Sequence, residues 1–287
     1  MDLVPYKTCS FDCIYCQIGR TTNKTSERKE YVPLEEVVAQ LKEKLPSKPD
    51  YITLSGSGEP TLYSRLGELI SEIKSMTDTP VAILTNGSTL WLPEVRESII
   101  EADLLVPSLD AGNEEVFRKV NRPCDEITFD KLVEGLISFR KEYVGEYNLE
   151  VFLIEGINSS TEQASEIAKL TASIKPDRAQ LNTVARPPAE DYAMGVSSDR
   201  LEELLPLFGE DAEIIADFSR KQLDSTAAAV CDDVEQMVAR RPCSVNDIAN
   251  GLGISVNEVV KYVDKLTRDG KIIPVKTDKG IFYQGER

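Results

Sequence analysis

The chain has no histidine among its 287 residues and one tryptophan. Without imidazole there is no Ser-His or Cys-His nucleophile system and no histidine-ligated zinc or non-haem iron centre. No apolar run approaches the ~20 residues that cross a bilayer, and no secretory leader precedes the first cysteines. Positive charge is scarce: 33 Lys and Arg stand against 49 Asp and Glu, a formal net charge of −16. Residues 232–287 hold nine of each sign, so the excess lies upstream, where phosphate backbones would be repelled. Six cysteines in a chain of this length are too few for a disulfide framework. These absences lead to the expectation of a cytoplasmic protein in a reducing setting, with no membrane partner.

What is present is concentrated in one stretch. Residues 9–17 read CSFDCIYCQ, with Cys9, Cys13 and Cys16 inside eight residues and no fourth thiol nearby. Structural zinc usually closes with four protein ligands, as do electron-transfer iron–sulfur clusters. A three-thiolate loop leaves one metal position for something else. The alternatives are a zinc knuckle completed by a distant cysteine such as Cys124, or three unrelated thiols.

Up to about residue 185, short β-type runs alternate with helical segments. Strands are expected at 50–55 (DYITLS), 81–85 (VAILT), 104–109 (LLVPSL), 149–154 (LEVFLI) and 178–184 (RAQLNTV), preceded by a first strand in VPYK. Their Val, Ile and Leu content on both faces suits a buried parallel sheet. Helices are expected at 33–45, 62–76, 92–102, 129–143 and 160–174. The cysteine loop would then follow strand one, at the carboxyl ends of the strands where ligands of parallel α/β folds gather. Residues 186–231 read as a helical connector, with an amphipathic piece at 198–208. In 232–287, helix, glycine turn, helix and hairpin follow one another, with Ser244 capping the first helix over Asp247, Gly253 in the turn, Ser255 capping the second and Gly270 ending it. That order reads as a winged helix. Its second helix has mixed charge, which favours protein contact over nucleic acid.

The CxxxCxxC spacing, with Tyr15 before the last cysteine, resembles the radical S-adenosylmethionine (SAM) superfamily. The resemblance covers roughly residues 3–185 and implies an α/β fold: a partial (βα)6 barrel, here followed by the small winged-helix domain. It implies a [4Fe–4S] cluster on Cys9, Cys13 and Cys16, with SAM chelated at the open iron. It implies reductive cleavage of SAM to a 5′-deoxyadenosyl radical that abstracts hydrogen from a substrate, supplied with electrons by a donor such as ferredoxin or flavodoxin. In LSGSGEPTL, Gly58, Glu59 and Pro60 match the family's Gly-Gly-Glu-Pro-like motif, with Ser57 in place of its first glycine; Glu59 would pair with the SAM ammonium. Ser108 and Asp110 would face the ribose, Asn86 either ligand or substrate, and Gly156, Ile157 and Asn158 the adenine. Gln180, Asn182 and Arg186 are candidates for substrate contact. The text around the cysteines is most similar to a group placed loosely with wyosine-synthesis enzymes, although no second cluster motif or RNA-binding insert is present. Together these imply modification of a protein or RNA docked by the winged helix. The rival expectation is an Fe–S redox-sensing transcription regulator acting through that same domain.

Overall fold

The structure is a computed structural model that describes residues 1–185, 188–216, 231–252, 254, 256–277 and 280–285. In chain order, β1 (Thr8–Cys9) and β2 (Asn23–Lys24) pair in parallel and close the cysteine loop at its base. Then come α1 (Leu34–Lys44), β3 (Ile52–Leu54), α2 (Leu66–Met76), β4 (Val81–Thr85), α3 (Pro93–Ile99), β5 (Leu104–Pro107), α4 (Glu114–Val120), α5 (Phe129–Glu142), β6 (Glu146–Leu153), α6 (Thr161–Ile174), β7 (Arg178–Thr183), α7 (Ser198–Leu204) and β8 (Ala212–Ile214). Strands β3 to β8 form one six-stranded sheet in sequential order, every pair parallel. Helical crossovers between sequential parallel strands give the α/β half-barrel expected from the sequence.

Local chemistry explains the elements. Pro33 precedes α1, whose first turn holds Glu35 and Glu36 and whose last holds Lys42 and Lys44, matching the helix dipole at both ends. Asn113, Thr128 and Ser160 cap α4, α5 and α6 through side-chain oxygens. Along β6, Tyr147, Leu149, Val151 and Leu153 are fully buried among the helices. Alternation then puts Asn148, Glu150 and Phe152 on the inner face.

Three expectations are corrected. VPYK is not a strand: Lys7 takes a left-handed φ of 58°, and the chain beside it meets the edge of the sheet through an isolated bridge, Asp2 with Ser55, and not through a ladder. The sixth strand is instead β8, which pairs with β7 inside the segment read as a helical connector; the sheet therefore runs beyond residue 185. The short helix α4 also went unread. Residues 217–230 lie outside the described residues, as do Arg186, Gly253 and Ser255.

Beyond them, α8 (Cys231–Arg240), β9 (Cys243–Ser244), α9 (Val245–Leu252), α10 (Val256–Arg268), β10 (Ile272–Thr277) and β11 (Gly280–Gly285) form three helices against a three-stranded antiparallel sheet. A separate core holds them, built on Val234, Val238, Ile248, Val259, Val263 and Ile272. The capping pair forms as read: Asp247 N donates to Ser244 Oγ at 3.1 Å, and Ser244 N to Asp247 Oδ2 at 2.9 Å. Gly270 has φ 73°. Cys243 is fully buried in this core, a small apolar residue.

Candidate active site

The cysteine loop is fixed from below. Asp12 N donates to Asn121 O and Ile14 N to Val120 O, both at 3.0 Å, so the loop rests on the end of α4. Phe11 packs edge-on against Phe117, with centroids 5.4 Å apart. Cys9 Sγ accepts from Phe11 N and from Asn86 Nδ2, each at 3.4 Å. Cys13 Sγ accepts from Asn121 Nδ2 at 3.5 Å. Burial pushes all three thiols above their ordinary pKa, so they stay neutral until a cationic centre displaces their protons. Among the described residues no three His, Cys, Asp or Glu side chains converge on one ion-sized point. The loop presents three thiols, two of them receiving N–H donors. That donor set fits a polynuclear iron–sulfur cluster, whose irons take one thiolate each, better than a single zinc ion.

The Ser57–Pro60 turn packs against the base of this loop. Lys7 N donates to Ser57 O at 2.7 Å, and Glu59 N to Thr8 O at 3.1 Å. A Cβ on Gly58 would overlap the Thr8 carbonyl oxygen, so glycine is required there for backbone contact within the protein. Pro60 opens a 3₁₀ turn, Pro60–Leu62. The Glu59 carboxylate is buried and internally engaged. Its Oε1 accepts from Thr61 N (3.0 Å), Thr61 Oγ1 (2.6 Å) and Thr85 Oγ1 (2.6 Å), and its Oε2 from Asn86 N (2.8 Å). The structure thus shows Glu59 joining this turn to the end of β4.

Asn86, Ser108, Asp110, Gly156 and Asn158 follow the carboxyl ends of β4, β5 and β6, while Gln180 and Asn182 lie within β7. Asn86 Nδ2 also donates to Ser10 Oγ at 3.0 Å. Asp110 is buried; its Oδ2 accepts from Tyr15 OH (2.6 Å) and Asn121 Nδ2 (2.7 Å), its Oδ1 from Phe152 N (3.1 Å). Burial pushes its carboxyl pKa upward, against these hydrogen bonds. Asn158 is spent on backbone, accepting from Ile154 N and donating to the carbonyls of Asp110 and Phe152. Gly156 sits at φ 69° with open space around it. Ser108 Oγ donates to Glu150 Oε2 at 3.4 Å, and Asn182 Nδ2 to Glu150 Oε1 at 2.6 Å. Gln180 donates to Glu213 Oε1 at 2.9 Å. Cys124 is buried, and its backbone N donates to Ser10 O at 2.9 Å.

Two residues were missed from sequence. Asn121 lies 108 residues from Cys13, to which it donates, and nothing local marks it. Glu150 did carry a signal: it is the lone charge within LEVFLI.

A parallel half-barrel whose strand ends carry a three-thiol loop, a Gly-Glu-Pro turn and two buried carboxylates defines a class of cluster-dependent enzymes. Residues 3–168 match the radical SAM superfamily, and the chain belongs to it. That family uses a [4Fe–4S] cluster and SAM. The chain is 41 % identical over 277 residues to a protein named GTPase Obg of Brachyspira hyodysenteriae, matching 95 % of this chain and 41 % of that protein; it spans less than half of that relative. It is 30 % identical over 292 residues to the UPF0026 protein MJ1312 of Methanocaldococcus jannaschii, covering 98 % of this chain and 89 % of the relative. In fold it resembles a radical SAM methyltransferase from Sphaerobacter thermophilus, with a TM-score of 0.56, 18 % identity and coverage of 72 % of this chain and 63 % of that one. No helix among the described residues is long and apolar enough to cross a membrane.

Proposed function

We propose that this protein is a radical SAM enzyme that holds one [4Fe–4S] cluster on Cys9, Cys13 and Cys16 and removes a hydrogen atom from a protein or RNA substrate. The observation that carries the reading is the thiol loop lying directly against Asn86, Asp110 and the Glu59 turn, at the carboxyl ends of three neighbouring strands, β3, β4 and β5. When bound, the cluster and SAM supply one-electron cleavage of a sulfonium and hence a hydrogen-abstracting radical.

The chain's own residues supply the rest. Asn86 and Asn121 direct N–H groups at Cys9 and Cys13, which favours the thiolate form. Glu59 ties the turn to the end of β4, and the Ser57–Gly58 backbone of that turn would face the SAM amino group. Asp110 holds the Tyr15 hydroxyl, so the Tyr15 ring lies stacked on Phe152, with centroids 3.9 Å apart. That stack ties the cysteine loop to the inner face of β6. Ser108, Gly156 and Asn158 would shape the nucleoside end of the pocket. A small one-electron protein such as ferredoxin or flavodoxin would serve as reductant.

The C-terminal unit reads as a winged helix that docks the substrate. Val256 and Val260, one turn apart on α10, are 45 % and 42 % exposed, an apolar pair that suits protein contact. The redox-regulator reading leaves the strand-end polar groups without a role.

The test is anaerobic reconstitution with iron and sulfide, then SAM and dithionite, with 5′-deoxyadenosine as the product measured. Each single Cys→Ala change at positions 9, 13 and 16 abolishes iron–sulfur absorbance and product; Cys124→Ala and Cys243→Ala retain both. Zinc without iron or sulfide in anaerobically purified protein would refute the proposal.

A further inference from the structure

The inner face of β6 carries a feature that the proposed chemistry does not use. Asn148 and Glu150 lie two residues apart on that face, below Phe152. Glu150 has two neutral donors, Asn182 and Ser108, and among the described residues no lysine or arginine is hydrogen-bonded or ion-paired to it. The nearest cation along the inner face of β7, Arg178, is ion-paired with Glu213 at 3.5 Å. Asn148 is 5 % exposed; its Nδ2 donates to Glu146, but its Oδ1 is buried without a partner. A buried carbonyl left unpaired costs about 1–3 kcal/mol, and a partly buried carboxylate without a cation is uncommon. On β4, Leu84 is 43 % exposed, so the lumen face of that strand is open to solvent, and Glu150 is itself only partly buried; the Asn148 carbonyl lies deeper, beneath it.

We infer that Glu150 and Asn148 form a subsite for the cationic end of an alkylammonium or alkylguanidinium group of the substrate. Its N–H donors satisfy the Glu150 carboxylate and the Asn148 carbonyl, while its methylene chain lies along Leu84 and Val106 toward the Tyr15–Phe152 stack. An anionic group would meet Glu150 and Asp110 together and be repelled. The lysine or arginine side chain of a protein substrate has this chemistry; a nucleic-acid phosphate does not.

This inference rests on the lumen being the substrate chamber of the proposed enzyme, and its test is separate from SAM cleavage. The reconstituted full chain is titrated with n-butylammonium and n-butylguanidinium, with 1-pentanol as the uncharged comparison, and binding is followed by saturation-transfer NMR. Both cations saturate and the alcohol does not. Glu150→Gln weakens cation binding about tenfold or more, through loss of a charge-assisted contact. Asn148→Asp adds a second carboxylate and strengthens it about threefold or more. Glu72→Gln, on the surface of α2, leaves it unchanged. An equal response to cation and alcohol, or wild-type affinity in Glu150→Gln, overturns the subsite. If Glu150→Gln does not fold, Asn148→Asp decides, and unchanged or weaker binding there overturns it. If the cations bind as described but SAM is never cleaved, the enzyme reading fails and the subsite stands.

Discussion

Asn86 sets its side-chain amide 3.4 Å from Cys9 Sγ while its backbone N–H donates to Glu59 Oε2 at 2.8 Å. One residue at the end of β4 therefore couples the thiol loop to the Gly-Glu-Pro turn. Hydrogen bonds to cluster sulfurs raise reduction potentials by stabilising the more negative state. Asn86→Leu removes a bond worth about 1 kcal/mol. At 59 mV per decade for one electron, the midpoint falls by about 40 mV. An EPR-monitored redox titration measures this, and an unchanged midpoint would mean that the amide does not act on the thiolate.

Glu59 gives a second prediction, different from the one its sequence context suggests. A free carboxylate facing the SAM ammonium would, on change to glutamine, lose ligand affinity and leave the fold untouched. In the structure four donors point at this carboxylate. Glutamine puts an NH₂ group against at least one of them and strands a buried donor, at about 1–3 kcal/mol. Urea denaturation of Glu59→Gln should therefore show a lowered midpoint before any ligand is added. Full stability combined with weakened SAM binding would instead restore direct pairing.

Most of the strand order was legible because strands of a parallel sheet are written in Val, Ile and Leu, as VAILT and LLVP show, even where one face borders the lumen. The first strand failed for a backbone reason: Lys7 at φ 58° turns the chain away after a single bridge. β8 is three residues, AEI, too short for any period to register. The thiols were legible because their spacing is local. The wiring around them was not, because Asn121 reaches Cys13 across 108 residues of sequence and Glu150 takes its partners Ser108 and Asn182 from the two neighbouring strands. Asp110 and Asn158 were anticipated as ligand contacts, and the structure shows both engaged with the protein itself.

The lumen carboxylate predicts a pH dependence. Burial, with the charge of Asp110 adding to it, raises the Glu150 pKa above the usual carboxylate value, against the hydrogen bonds from Asn182 and Ser108. A raised folded-state pKa means that the folded chain holds its proton longer than the unfolded one. The stability linked to this group is fully present below the unfolded value and is lost as pH rises through the folded one. At neutral pH, Glu150→Gln should therefore stabilise the metal-free protein by about 1 kcal/mol, or about 2–4 °C in Tm for a chain of this size. Near pH 4 the gain should vanish. Thermal melts across that range measure it, and a gain that persists or grows in acid would contradict the sign.

The two hydrophobic cores give the last prediction. The barrel core and the C-terminal core share no residue, and the ion pair between Arg240 and Asp2, at 3.8 Å with the arginine 63 % exposed, is of a kind worth about 0–1 kcal/mol. The sheet closes with β8, so a chain ending at Ala216 keeps all six parallel strands together with the thiol loop and its partners. It should fold cooperatively, take up iron and sulfide, and cleave SAM without substrate. What it should lose is affinity for the substrate that the C-terminal unit presents, since holding a reactant in place can supply several kcal/mol. Pull-down with the isolated unit, repeated at rising salt, separates the partner classes. Contact through Val256 and Val260 should change little with salt, whereas phosphate contacts release counterions and weaken steeply. If the shortened chain cannot assemble its cluster, the C-terminal unit is part of the barrel's fold, and the division into an enzyme body and a docking module fails.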